Sequence, residues 1–76
     1  MDSTQRLPLE LAESLICAMF PSAPRSGNPN TDVRTTGTRD RIEITYRVTT
    51  ALAAYTEAYL IEFPDESTIR VTRIIA

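Results

Sequence analysis

The sequence has no histidine and no lysine, and only one cysteine and two glycines among its 76 residues. Each scarcity excludes something. Without histidine, the common Ser-His and Cys-His nucleophile pairs are absent, and the usual zinc ligand sets are out of reach. Cys17 alone cannot form an intramolecular disulfide, and one free thiol fits a reducing compartment. Gly27 and Gly37 stand ten residues apart, in neither the dinucleotide-binding nor the nucleoside-triphosphate-binding pattern. Long apolar runs are also missing. Leu15 to Phe20 is six residues, against the roughly 20 that cross a bilayer. Met1-Asp2-Ser3-Thr4 carries no basic segment ahead of a long apolar stretch, so it does not have the form of a signal peptide. The expectation is a cytoplasmic protein without a membrane segment.

All eight basic residues are arginine. Codon usage in a GC-rich genome accounts for this, and so does retention of forked, bidentate donors. The net charge is −2.

What is present is ordinary for a folded chain: 42% hydrophobic and 24% charged residues, unlike a disordered composition. Residues 1–76 are expected to form a single domain. A domain of this size buries only about 60% of its unfolded surface. With neither disulfide nor metal to staple it, association or a bound partner would enlarge its core.

Residues 7–20 (LPLELAESLICAMF) predict a helix. Pro8 suits its first turn, and Glu10 and Glu13 favour its positive end. Leu9, Ala12, Leu15, Ile16, Met19 and Phe20 recur at helical spacing and make one apolar face, its Met19–Phe20 end directed at a sheet. Pro21 stops the helix. Residues 21–30, rich in Pro, Ser, Gly and Asn, are a loop. Thr31 to Thr36 is a weak strand, and Thr36-Gly37-Thr38 reads as a turn. Arg41 to Thr50 is the clearest strand: Ile42, Ile44, Tyr46 and Val48 alternate with charged and threonine residues. Residues 50–58 contain good helix formers, which keeps a short helix there as an alternative. The favoured assignment is a strand from Tyr55 to Phe63, a turn at Phe63-Pro64-Asp65-Glu66-Ser67, and a last strand from Thr68, with Arg73 breaking its alternation. The expected architecture is α+β: an N-terminal helix packed on a three- to four-stranded antiparallel β-meander over residues 31–75.

Little here carries chemistry. Cys17, between Ile16 and Ala18, reads as a small core hydrophobe. Asp65, Glu66, Glu57 and Glu62 cluster around a solvated turn, where nothing moves a carboxyl toward general-acid duty. Asp65-Glu66-Ser67-Thr68 lacks the glycine and the ligand number of a calcium loop. No catalytic, metal or cofactor site is expected, and the chain is read as a non-enzyme.

The remaining feature is a mixed-charge, threonine-rich sheet face. Arg41, Glu43, Arg47, Arg70 and Arg73 are its candidate partner-binding residues, arginine being enriched at interface hot spots. In size and in its lack of chemistry, the chain resembles the small single-domain proteins of phages and mobile elements. That resemblance implies an inhibitor that binds and blocks a host complex, as anti-CRISPR proteins do. Two further readings stand beside this one. In the first, the Arg34–Arg47 stretch binds nucleic acid; four arginines there meet Asp40 and Glu43, and interspersed acids weaken a positive stripe. In the second, the chain is the structural subunit of a homo-oligomer, a homodimer for instance, joined through the backbone edge of the last strand.

Overall fold

The structure, a computed structural model, describes residues 8–75. Its elements run α1 (Leu9–Met19), β1 (Thr31–Thr38), β2 (Arg41–Thr49), β3 (Ala54–Asp65) and β4 (Thr68–Ile75). The strands form one antiparallel sheet in the order β1-β2-β3-β4, each paired with its neighbour in sequence. This is the expected α+β arrangement, with four strands.

Alternation builds the sheet. Along β2 the burial pattern follows the sequence pattern: Ile42, Ile44, Tyr46 and Val48 are buried, and the residues between them are exposed or half-buried. Opposite them on β3 stand Ile61, Tyr59, Glu57 and Tyr55, so this face is apolar except at Glu57. Ala12 and Ile16 of α1 cover it and share one core with Ile42, Ile44, Tyr46, Tyr59 and Ile61. The helix begins as Pro8 accepts a hydrogen bond from the Ala12 N–H at 3.0 Å, with no side-chain cap.

Its C-terminus departs from expectation. Met19 is 61% exposed and does not pack on the sheet. Phe20 leaves helical geometry (φ −133°, ψ 84°) and packs on the core over Tyr59, with ring centroids 5.4 Å apart. Cys17 is half-buried rather than a core residue, and Arg25 of the loop over residues 21–30 donates from its guanidinium to the sulfur.

The turns also redistribute. Thr36-Gly37-Thr38 is not a turn. β1 runs on to Thr38, paired with Arg41, and the reversal falls at Arg39–Asp40. Gly37 supplies the distortion that makes this possible: its φ is +135°, and a Cβ there would overlap the Arg41 carbonyl oxygen. The short helix over residues 50–58 does not form. Thr50 instead closes a tight connection, donating from its hydroxyl to the Ala53 carbonyl at 2.9 Å and accepting from the Ala53 N–H at 3.0 Å. Beyond it, Ala58, Tyr59, Leu60 and Ile61 are four consecutive buried residues, the mark of a strand flanked on both sides. Strand pairing here overrides helix propensity.

β3 turns into β4 at Glu66–Ser67. Pro64, which has no N–H to donate, lies where the β3–β4 register slips between Glu62 and Asp65. A second slip sets Tyr59 opposite Arg73 and Ala58 opposite Ile75, making Ile74 an extra residue at the end of the strand.

Candidate functional site: the open face of the sheet

Register decides which side chains share the face opposite α1. Arg41 stands across from Thr38 and Glu62, Glu43 from Thr36 and Leu60, and Arg47 from Asp32 and Thr56. Arg70 stands across from Glu62, and Thr72 from Leu60. Because strand side chains alternate between faces, four of the five candidate residues (Arg41, Glu43, Arg47 and Arg70) come together. Among the described residues no helix covers this face.

Arg73 does not join them. It stands three positions after Arg70, an odd step, so regular alternation puts it on the helix side, opposite Tyr59. Its guanidinium carbon lies 5.5 Å from the centre of the Phe20 ring, a cation–π arrangement. Arg73 contributes to the α1–sheet junction instead.

Arg34, opposite Thr45, does belong to the open face, and alternation within β1 is the signal that assigns it. Four arginines there (34, 41, 47 and 70) meet three carboxylates, Asp32, Glu43 and Glu62. The only ion pair among these seven in the described residues is Arg70 with Glu62, at 3.7 Å. Arg34, Arg41 and Arg47 have no carboxylate of the described residues within ion-pair distance. Arg34 and Arg47 flank a shallow depression of about 390 Å³ with Asp32, Thr45 and Thr56. A smaller one of about 140 Å³ lies beside Arg41, Glu43 and Leu60. Ala58 and Leu60 of the same face are 0% and 8% exposed and lie beneath the neighbouring side chains. A guanidinium with neither partner nor burial is free to fork onto a carboxylate or phosphate brought by another molecule.

The helix side holds the polar groups that sequence reasoning missed. Glu13, expected only to favour the helix dipole, accepts from the Tyr46 hydroxyl at 2.8 Å, from the Ser26 N–H at 2.9 Å and from the Ser26 hydroxyl at 2.8 Å. It thereby ties helix, loop and β2 together. Glu57, the one break in the apolar alternation of β3, accepts from the Tyr59 hydroxyl at 2.5 Å. Both tyrosines are fully buried. Burial first, and then the bond to Glu13, hold the Tyr46 hydroxyl well above its ordinary value. Burial, and then Glu57, push Tyr59 up to about 12. These hydroxyls stay protonated at neutral pH and serve as donors. The one sequence signal for them is a carboxylate where a core residue belongs.

At the β3–β4 turn, Asp65 accepts from the Ser67 N–H at 2.8 Å and from the Thr68 hydroxyl at 3.2 Å. The Ser67 N–H is the main cause that holds its carboxyl below the ordinary range, as expected of a turn aspartate. Among the described residues no group of three or more His, Cys, Asp and Glu side chains is placed to hold a metal ion. No helix of the described residues is long and apolar enough to cross a membrane. No protein-family model, curated protein or solved structure matches the chain.

Proposed function

We propose that this protein is a non-enzymatic binding module that recognises another protein with the open face of its sheet. The observation that carries this reading is the set of exposed arginines without ion-pair partners among the described residues, Arg34, Arg41 and Arg47, on the helix-free side of the sheet. Exposed forked donors of this kind are enriched among the anchor residues of protein interfaces. The phage and mobile-element resemblance extends the reading to an inhibitor working in the cytoplasm, which blocks a host complex by covering its surface.

The test is capture of the partner from host lysate under nuclease treatment, followed by affinity measurement on the purified pair. Arg41→Glu with Arg47→Glu is expected to weaken binding at least about a hundredfold, since anchor residues cost about 2 kcal/mol or more each. Stability should change by no more than about 0.5 kcal/mol, as at other exposed positions. A partner bound equally well by the double variant would move the recognition surface elsewhere. Capture of oligonucleotide alone, with steep salt dependence, would favour the nucleic-acid reading of the same arginines.

A second reading, a subunit that associates with its own copies, is favoured by a separate observation. Ile69, Ile74 and Ile75 on the outermost strand are 51%, 44% and 48% exposed.

A further inference from the structure

We propose that two copies of the chain pair through β4, strand edge to strand edge and antiparallel about a twofold axis, to make one continuous eight-stranded sheet. The inference rests on the self-association reading and gives it a surface, a symmetry and a consequence.

The two edges of the sheet differ. The outer edge at β1 is polar. Thr31–Thr38 contains a single large apolar residue, Val33, and a glycine in a conformation that distorts the strand. The outer edge at β4 is eight residues long and carries three half-exposed isoleucines. Soluble proteins blunt such edges with charged side chains, prolines or bulges. β4 has no proline, and its irregularity falls at Ile74, near the end of the strand. It does have two charges, both exposed, and each has a partner within its own chain. Arg70 reaches Glu62 on the neighbouring strand at 3.7 Å, and Arg73 lies over Phe20. The rest of the edge is isoleucine, threonine and unpaired backbone.

The occupant with a matching pattern is β4 itself. In an antiparallel pairing centred on Val71, Arg70 faces the partner's Thr72, and Ile69 faces the partner's Arg73. Centred on Thr72, Val71 faces the partner's Arg73. Neither register opposes arginine to arginine, the arrangement that would destabilise a strand pair. Such an interface is isologous and closes on itself, so it stops at two copies. A twofold axis normal to the sheet keeps both helices on one side. Both open faces then lie on the other side, side by side, and Arg41 and Arg47 are presented twice on one surface.

The test uses the whole chain. Sedimentation from micromolar to submillimolar concentration is expected to give a mass twice the 8.5 kDa of one chain. Ile69→Lys and Ile75→Lys, each at a half-exposed position, should weaken dimerisation at least about tenfold, a difference of about 1.4 kcal/mol, with the circular dichroism unchanged. Amide exchange of the wild-type protein gives an independent readout should either variant misfold. Protection in Thr68–Ile75 should rise with protein concentration, and protection in Thr31–Thr38 should not. A monomer throughout the concentration range overturns both the pairing and the self-association reading. A dimer that survives both lysines, with no concentration-dependent protection in β4, keeps self-association but overturns this interface.

Discussion

Glu13 and Glu57 show how single side chains settle a small core. Each gives a buried tyrosine hydroxyl its acceptor, and a hydroxyl buried without one costs about 1–3 kcal/mol. The arrangement sets an alkaline limit to folding. The unfolded chain releases the Tyr59 proton near its ordinary value of 10.0, whereas the folded chain holds it to about 12. The folded state therefore binds more protons in that interval. Stability is complete below pH 10 and falls as the pH rises through the folded value. Urea unfolding at stepped alkaline pH should show this decline, and Tyr46→Phe with Tyr59→Phe should flatten it; an equal slope in the double variant would remove the tyrosines from the account. Gly37 acts through the backbone alone. Gly37→Ala forces a Cβ onto the Arg41 carbonyl at φ +135°, and is expected to cost about 3 kcal/mol or more in urea unfolding. A loss below about 0.5 kcal/mol, the range of ordinary surface substitutions, would mean that the strand relaxes around it.

Among the elements, α1 has one anchor that matters. Ile16 is 1% exposed, whereas Met19 is 61% exposed. Ile16→Ala should cost about 2–5 kcal/mol, and each kcal/mol lowers Tm by about 4–8 °C in a domain of this size. Met19→Ala should leave Tm nearly unchanged. Equal losses would place the buried stripe of the helix wrongly. The same contrast shows how much is legible in the sequence. Period-two alternation in Arg41–Thr49 yields β2 and both its faces, because alternation there has one cause, a half-buried sheet. Arg41, Glu43, Arg47 and Arg70 come with it, since a face is inherited from the pattern. Arg73 is the exception. Its charge suggests the open face, while its parity with Val71 assigns it to the helix side, and the Phe20 ring that makes an arginine welcome there is remote in sequence. Residues 50–58 are ambiguous because alanine favours helices while only distant strands reward extension. Gly37 suggests a turn at Thr36–Thr38 because glycine marks both turns and strand distortions. Glu13 looks like no more than a dipole partner because its acceptor role depends on Tyr46, 33 residues away.

At the scale of the molecule, the helix covers one side of the sheet and the described residues leave the other uncovered. The molecule extends 43 by 23 by 16 Å, a two-layer slab whose thin dimension is little more than the separation between a helix and a sheet. A thin slab with one open side has more surface to offer than its size would suggest. Recognition by the open face uses surface that a third layer would cover, and pairing through β4 uses the edge of the same slab.

The neighbour-to-neighbour strand order also bears on assembly. Hairpins that join consecutive segments close short loops, the kind of contact that favours rapid folding. The sheet can therefore grow by one hairpin at a time as the chain is made. The helix is synthesised before the sheet that it covers. Its core neighbours include Tyr59 and Ile61, which emerge more than 40 residues after Ala12 and Ile16. Until then its apolar stripe has only the β2 part of its face, Ile42, Ile44 and Tyr46, to pack on. For a short interval during synthesis, the helix meets only part of the surface that it ends up sealing.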